Sequence, residues 1–224
     1  GNKSEKWPYT LYIKTIRGEK YMIRTYVTAI SLQGGTGLEK GMYKPEGFQL
    51  EKNMETSFPI IPVLANTVKC PEDTKIIALR TDNKDVKDNY KAFIEELSGL
   101  GIGEEQVLSV FIEEDQSKKT GIAALLKLIE EIPEDSLVYA DITFGSKPMS
   151  ALMLYAMNCI EKIKDTEVEG IFYGELPRYS GESMWDRAKL YDLTAYKFLT
   201  DIVGQLKELE VSDIAGALKS LINE

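Results

Sequence analysis

One stretch of this chain, Tyr139-Ala140-Asp141-Ile142-Thr143-Phe144-Gly145-Ser146-Lys147-Pro148-Met149-Ser150, sets an acid, hydroxyls, a glycine and a cation side by side. An apolar run ends in Asp141, and Pro148 suits the first turn of a following helix. Free amides at that helix start, with Thr143, Ser146 and Lys147 turned to one spot, could bind a phosphodiester. The same residues also admit a plainer use. Asp141 and Thr143 can satisfy loop amides while Ser146 or Lys147 caps the helix. An acid at the end of a buried strand is, however, poorly explained by packing alone.

A second cluster, Gln33-Gly34-Gly35-Thr36-Gly37-Leu38, follows an earlier apolar run. Gly34, Gly35 and Gly37 let amides approach a ligand closely or adopt positive φ. No Gly-Lys-Ser/Thr follows, so this is not a Walker loop, and the dinucleotide fingerprint is incomplete. A flexible turn and a phosphate contact both remain open. Thr81, Asp82 and Asn83 suit a helix cap as well as a ligand. Tyr173, Gly174 and Glu175 end a later run and could reach the same crevice. Asp186, Arg187 and Lys189 near Trp185 read as a solvated rim. The spacing of Leu152, Met153, Tyr155 and Met157 reads as core or dimer packing.

The composition narrows the chemistry further. Histidine is absent, which removes histidine acid/base catalysis, Ser-His and Cys-His pairs and most zinc sites. Cys70 and Cys159 follow no metal-ligand spacing, so neither a metal nor a cofactor is expected. A net charge of −9 argues against a broad surface for long nucleic acids, although local cations can still hold a small anion. No apolar run approaches the roughly 18 residues of a membrane helix, and the first six residues lack signal-peptide order. Export, insertion and membrane partners are not expected, and thiols without a disulfide pattern suit the cytoplasm. A start on Gly1 rather than Met suggests a trimmed chain.

The elements that must position these groups alternate. Buried runs at Thr25–Leu32, Lys75–Arg80, Gln106–Ile112, Leu137–Ile142 and Val168–Tyr173 read as strands. Helical periodicity covers Pro59–Val68, Asp85–Leu97, Thr120–Ile132, Pro148–Ile163 and Thr194–Leu209. The prediction is an α/β fold, Rossmann-like and doubly wound, with a mostly parallel sheet. In such a sheet the loops after the first and fourth strands flank the crevice at the topological switch point, where the two clusters fall. Thr10–Thr15 and Tyr21–Ile23 are expected to add an N-terminal hairpin or an extra edge strand. Gln33–Ser57, with five glycines, is too long for an ordinary connection and reads as an insertion, whose Lys40–Ser57 part would be a lid or a dimer arm. Glu175–Lys189 reads as a surface excursion. Residues 1–180 form one domain in this reading, and 181–224 a C-terminal helical extension.

Asp141-Ile142-Thr143-Phe144-Gly145 resembles the Asp-x-Thr-His-Gly (DxTHG) signature of CRISPR-associated CARF proteins, and Ser146-Lys147-Pro148 continues the match. Gly170-Ile171-Phe172-Tyr173-Gly174-Glu175 is similar to the family's next strand, and Tyr191-Asp192-Leu193-Thr194 to the Asp-Leu-Thr that opens its next helix. The order of elements agrees over roughly residues 20–210. Phe144 replaces the family's histidine. Many members carry a HEPN ribonuclease domain whose site needs histidine, so this chain holds no such site. Either an effector domain lies outside the sequence or the protein is a stand-alone sensor.

The resemblance implies a CARF-like homodimer that binds cyclic oligoadenylate, the messenger of type III CRISPR systems, across its two-fold axis. Gly34, Gly35, Thr36, Gly37, Thr81, Asp141, Thr143, Gly145, Ser146, Lys147 and Tyr173 are then the ligand-binding candidates. Some CARF domains also cleave the ring without metal, by attack of a ribose 2′-hydroxyl on its own phosphate. Lys147 and Ser146 would stabilise the charged oxygens, with Thr36 or Thr143 positioning. An unrelated Rossmann-like dinucleotide enzyme, with Asp82 holding a ribose, and a purely structural dimer are the other readings.

Overall fold

A computed structural model describes residues 22–32, 38–115, 117–175 and 188–222. In chain order the elements are β1 (Ile23–Ala29), β2 (Gly41–Met42), β3 (Lys44–Glu46), β4 (Glu55–Thr56), α1 (Ile60–Thr67), β5 (Thr74–Arg80) and α2 (Lys84–Ser98). There follow β6 (Val107–Phe111), α3 (Lys118–Glu131), β7 (Ser136–Asp141), α4 (Lys147–Ile163), β8 (Thr166–Glu175), β9 (Lys189–Asp192), α5 (Thr194–Glu208) and α6 (Ile214–Ile222). All five expected strands and all five expected helices form, with ends shifted by up to two or three residues.

The main sheet has the order β3-β9-β8-β7-β1-β5-β6. The parallel strands run β6-β5-β1-β7-β8, so the chain builds outward from β1 on one side, then crosses to the other. The fold is therefore α/β, Rossmann-like and doubly wound, with a mostly parallel sheet. β1 is central because its last five residues are apolar or hydroxyl-bearing and lie buried between two partners. Tyr26 pairs with Tyr139 of β7, and their rings stack with centroids 5.0 Å apart. The helices cover both faces with fully buried aliphatics such as Leu64, Leu97, Leu128 and Ile160. Each such side chain contributes about 1.5–3 kcal/mol on burial.

The helix ends follow from local chemistry. Asn83 caps α2 by accepting from the Val86 N–H at 2.9 Å, and Ser117 caps α3 by accepting from the Thr120 N–H at 3.3 Å. After α2 the chain reverses at Gly101, whose φ of +76° suits glycine.

Three expectations change. Ile23 opens β1 as a parallel strand rather than the second arm of a hairpin, while Thr10–Thr15 and Tyr21 lie outside the described residues. The excursion expected through Lys189 ends earlier, because Lys189 starts β9, which pairs antiparallel to β8. Residues 38–57 of the insertion are bound down to the body. β3 extends the main sheet beside β9, β2 pairs with β4, and Tyr43 between them is fully buried. The Ser57 hydroxyl donates to the Leu38 carbonyl at 3.1 Å, and the Glu96 carboxylate of α2 accepts from the Thr56 hydroxyl and the Ser57 N–H.

No helix among the described residues is long and apolar enough to cross a membrane. At the C-terminal end, α5 is fastened to α4. Lys197 is buried and its Nζ contacts Glu161 of α4 at 2.5 Å and Asp201 at 2.8 Å.

Candidate functional site

The strand order puts the end of β7 beside the end of β1, and the chemistry there centres on Asp141. Its register partners are Thr28 of β1 and Phe172 of β8. The side chain is fully buried. One carboxylate oxygen accepts from the Thr28 hydroxyl at 3.2 Å, and the other accepts from the Thr143 N–H at 3.0 Å and from the Thr143 hydroxyl. The Thr143 oxygen in turn accepts from the Gly174 N–H at 2.7 Å. Asp141 and Thr143 thus form a latch from the end of β7 across to the end of β8. Burial pushes the Asp141 carboxyl up to about 6, against the hydrogen bonds from Thr143 and Thr28 that favour its charged form.

Past the latch the chain turns on Gly145, whose φ is +95°. A Cβ there would sit 2.8 Å from the Met149 sulfur and 3.2 Å from the Ala29 Cβ, so the corner needs glycine for both conformation and space. Phe144, where the signature's histidine would stand, is buried edge-on to Phe58. Ser146 then caps α4, accepting from the Met149 N–H at 3.3 Å. Lys147, the first residue of α4, is exposed and has no ion-pair partner among the described residues. A cation at a helix N-terminus opposes the helix dipole, and no acid in the first turn offsets it. An anion seated there would be favoured by both charges.

Gly174 has a second role. A Cβ on it would come within 2.4 Å of Pro59 and 3.0 Å of Tyr43, so glycine lets the insertion lie across the end of β8 while its N–H holds Thr143. Tyr173 beside it is 39% exposed and stacks on Tyr191 of β9 at 6.4 Å.

A matching corner stands on the other side of β8. Asp192 also pairs with Phe172, accepts from the Thr194 N–H at 2.8 Å and from the Thr194 hydroxyl, and the Thr194 oxygen accepts from the Ile171 N–H at 2.9 Å.

The candidates fall into three groups. Asp141, Thr143, Gly145, Ser146 and Lys147 come together at the switch point. Thr81 is buried at the end of β5 and shares with Ser146 the lining of a cavity of about 350 Å³ between α3, α4 and the ends of β5 and β6. Tyr173 does not line that cavity. Gly34, Gly35, Thr36 and Gly37 lie outside the described residues. Asp82 is exposed and paired with Lys87 at 2.7 Å, and α1 starts only at Ile60, so β1 leads into no strand–glycine loop–helix unit. Both facts weigh against dinucleotide binding. No cluster of three or more metal-ligating side chains occurs among the described residues.

Sequence reasoning passed over two features. Thr28 holds Asp141 from β1, and its signal was a threonine in the central strand at the level of the acid. Glu113, Glu114 and Asp115 wall the cavity, and the rule that sites gather at carboxyl strand ends could have found them.

No family model matches the sequence, and no curated protein matches it. Among solved structures the chain is similar to Enterococcus italicus Csm6 bound to cyclic hexa-2′-fluoro-hexa-dAMP. The identity is 9%, the TM-score 0.43, and the match covers 84% of this chain and 45% of that one. The chain thus spans less than half the length of that protein. A likeness this distant adds nothing to the site, which stands on the geometry above.

Proposed function

We propose that this domain is a sensor that binds cyclic oligoadenylate at a homodimer interface in type III CRISPR signalling. The observation that carries the reading is the corner at the switch point. Asp141 and Thr143 hold the loop by internal hydrogen bonds, and Gly145 turns it so that the start of α4 and Lys147, without an ion-pair partner among the described residues, stand together. Such a corner is rigid before the ligand arrives, which lowers the ordering cost of binding a phosphodiester. The Asp-x-Thr-x-Gly order is the part of the sequence that resembles CARF proteins, and the strand order brings it beside the end of β1 at the switch point. Asp141 acts by positioning, since its carboxylate is enclosed.

A ring of repeated phosphodiesters suits a two-fold interface, because each half meets the same residues. α3 and α4 pack on each other and expose Ile122, Leu126 and Tyr155, an apolar surface suited to a second copy. Ser146 and Lys147 are also the groups that would stabilise charge if the ring were cleaved.

Calorimetric titration with cyclic tetra- and hexa-adenylate tests the proposal, with the same samples assayed for linear products. One ring bound per two chains is expected. No binding of either ring overturns the reading, and linear products lost in Lys147→Ala would add a ring-nuclease activity.

A further inference from the structure

The cavity beside the corner has a chemistry unlike the corner itself. Its lining includes the apolar side chains of Leu32, Met149 and Leu152, the carboxylates of Glu113 and Glu114, and the hydroxyls of Thr81 and Ser146. Resting on the cyclic oligoadenylate reading, we infer that this cavity takes one nucleobase of the ring and selects adenine by its exocyclic amine.

The charge decides which part of a nucleotide can enter. Glu113 has no ion-pair partner among the described residues, and Glu114 spends only one oxygen, accepting from Asn83 Nδ2 at 3.0 Å. Together with Asp115, which accepts from the Ser117 N–H and the Thr120 hydroxyl, they repel a phosphate and favour a group that donates hydrogen bonds. The hydroxyls supply the complement. Ser146 Oγ accepts from the Met149 N–H and Thr81 Oγ1 accepts from Asn83 Nδ2 at 3.1 Å, which leaves each hydroxyl proton to donate.

Adenine presents an acceptor ring nitrogen beside a donor amine, and flat faces for the apolar walls. Hypoxanthine reverses that edge and would turn a carbonyl oxygen toward the carboxylates. The volume of about 350 Å³ is at the small end of ligand pockets, which suits one base rather than a dinucleotide. Ser146 belongs to both places, so a phosphate at Lys147 and a base in the cavity can be neighbours on one ring.

The test titrates the whole chain with cyclic hexa-adenylate and cyclic hexa-inosinate, which differ only along that base edge, an amine and acceptor nitrogen in one and a carbonyl and N–H in the other. The inosine ring is expected to bind at least about tenfold more weakly, as for sites built to pair a polar group. The double variant Glu113→Gln, Glu114→Gln should bring the two rings within about threefold of each other, because the neutral amides also donate. Gly121→Leu gives an independent check. Gly121 lines the cavity on α3, and nothing lies within 4 Å of the position a Cβ would take there. That variant is expected to keep or raise the melting temperature while weakening cyclic hexa-adenylate at least about tenfold. Equal affinity of the wild type for both rings, or unchanged affinity in Gly121→Leu, would overturn the base assignment and leave the sensor reading intact. Failure of the wild type to bind either ring would remove the sensor reading, and this inference with it.

Discussion

The corners at Asp141-Ile142-Thr143 and Asp192-Leu193-Thr194 are built alike and end differently. Each aspartate accepts from the N–H and hydroxyl of a threonine two residues on, and each threonine oxygen accepts an N–H of β8, from Gly174 and Ile171 respectively. Both aspartates sit level with Phe172, one on each side of the strand. Asp141 is fully buried and leads into Gly145, Ser146 and the exposed Lys147, whereas Asp192 is exposed and Thr194 is already the first residue of α5. The Asp-x-Thr unit is therefore a fastener, a way to satisfy the loose amides of a strand end. What makes one copy a candidate site is the glycine and lysine that follow and its place at the switch point.

Removing the two acids should separate them most. Asp141→Ala leaves the Thr143 N–H without its acceptor and the Thr28 hydroxyl with only the Ala29 carbonyl at 3.4 Å, and opens a cavity, at a cost of about 3 kcal/mol. Asp192→Ala, with water at hand to replace the carboxylate, should cost about 1 kcal/mol or less. Urea unfolding of both variants measures the gap, and equal losses would mean that burial does not distinguish the corners.

The pH dependence of the first corner has an unusual sign. Its folded-state value of about 6 lies above the ordinary 3.8, so the folded protein holds this proton more tightly than the unfolded chain does. The associated stability is full below about pH 4 and is lost as the pH rises through about 6, by up to about 3 kcal/mol. Unfolding curves at pH 4.5 and 7 should show about 2 kcal/mol of this loss in the wild type and not in Asp141→Asn.

Smaller effects sharpen the contrast. Thr143→Val and Thr194→Val should each cost about 1–2 kcal/mol, because each leaves a β8 N–H without its acceptor. Only Thr143→Val should also weaken ring binding in the calorimeter. Lys147→Ala should change stability by less than about 0.5 kcal/mol, as exposed substitutions do. It should nevertheless weaken ring binding at least about tenfold and flatten its dependence on salt.

The buried half of this architecture was legible because a strand covered on both faces must be apolar along its length. The edges were not. Lys44-Pro45-Glu46 and Lys189-Leu190-Tyr191-Asp192 are polar, and only their pairing partners make them strands. The first corner was legible from an acid closing an apolar run. Its use as a latch was not, since that depends on Thr28 and Gly174, which lie 113 and 33 positions from Asp141 and reach Asp141 and Thr143 respectively only through strand order. The second corner could be read only by likeness to a helix opening, because nothing in the sequence says which amide Thr194 holds.

Pro45 sits in β3, the outermost strand at that edge of the sheet. It has no N–H to offer, and Lys44 and Glu46 flank it with charge. A strand arriving from another molecule would meet an interrupted row of partners and two hydrated groups that resist drying. That edge is thus guarded against runaway polymerisation of sheets.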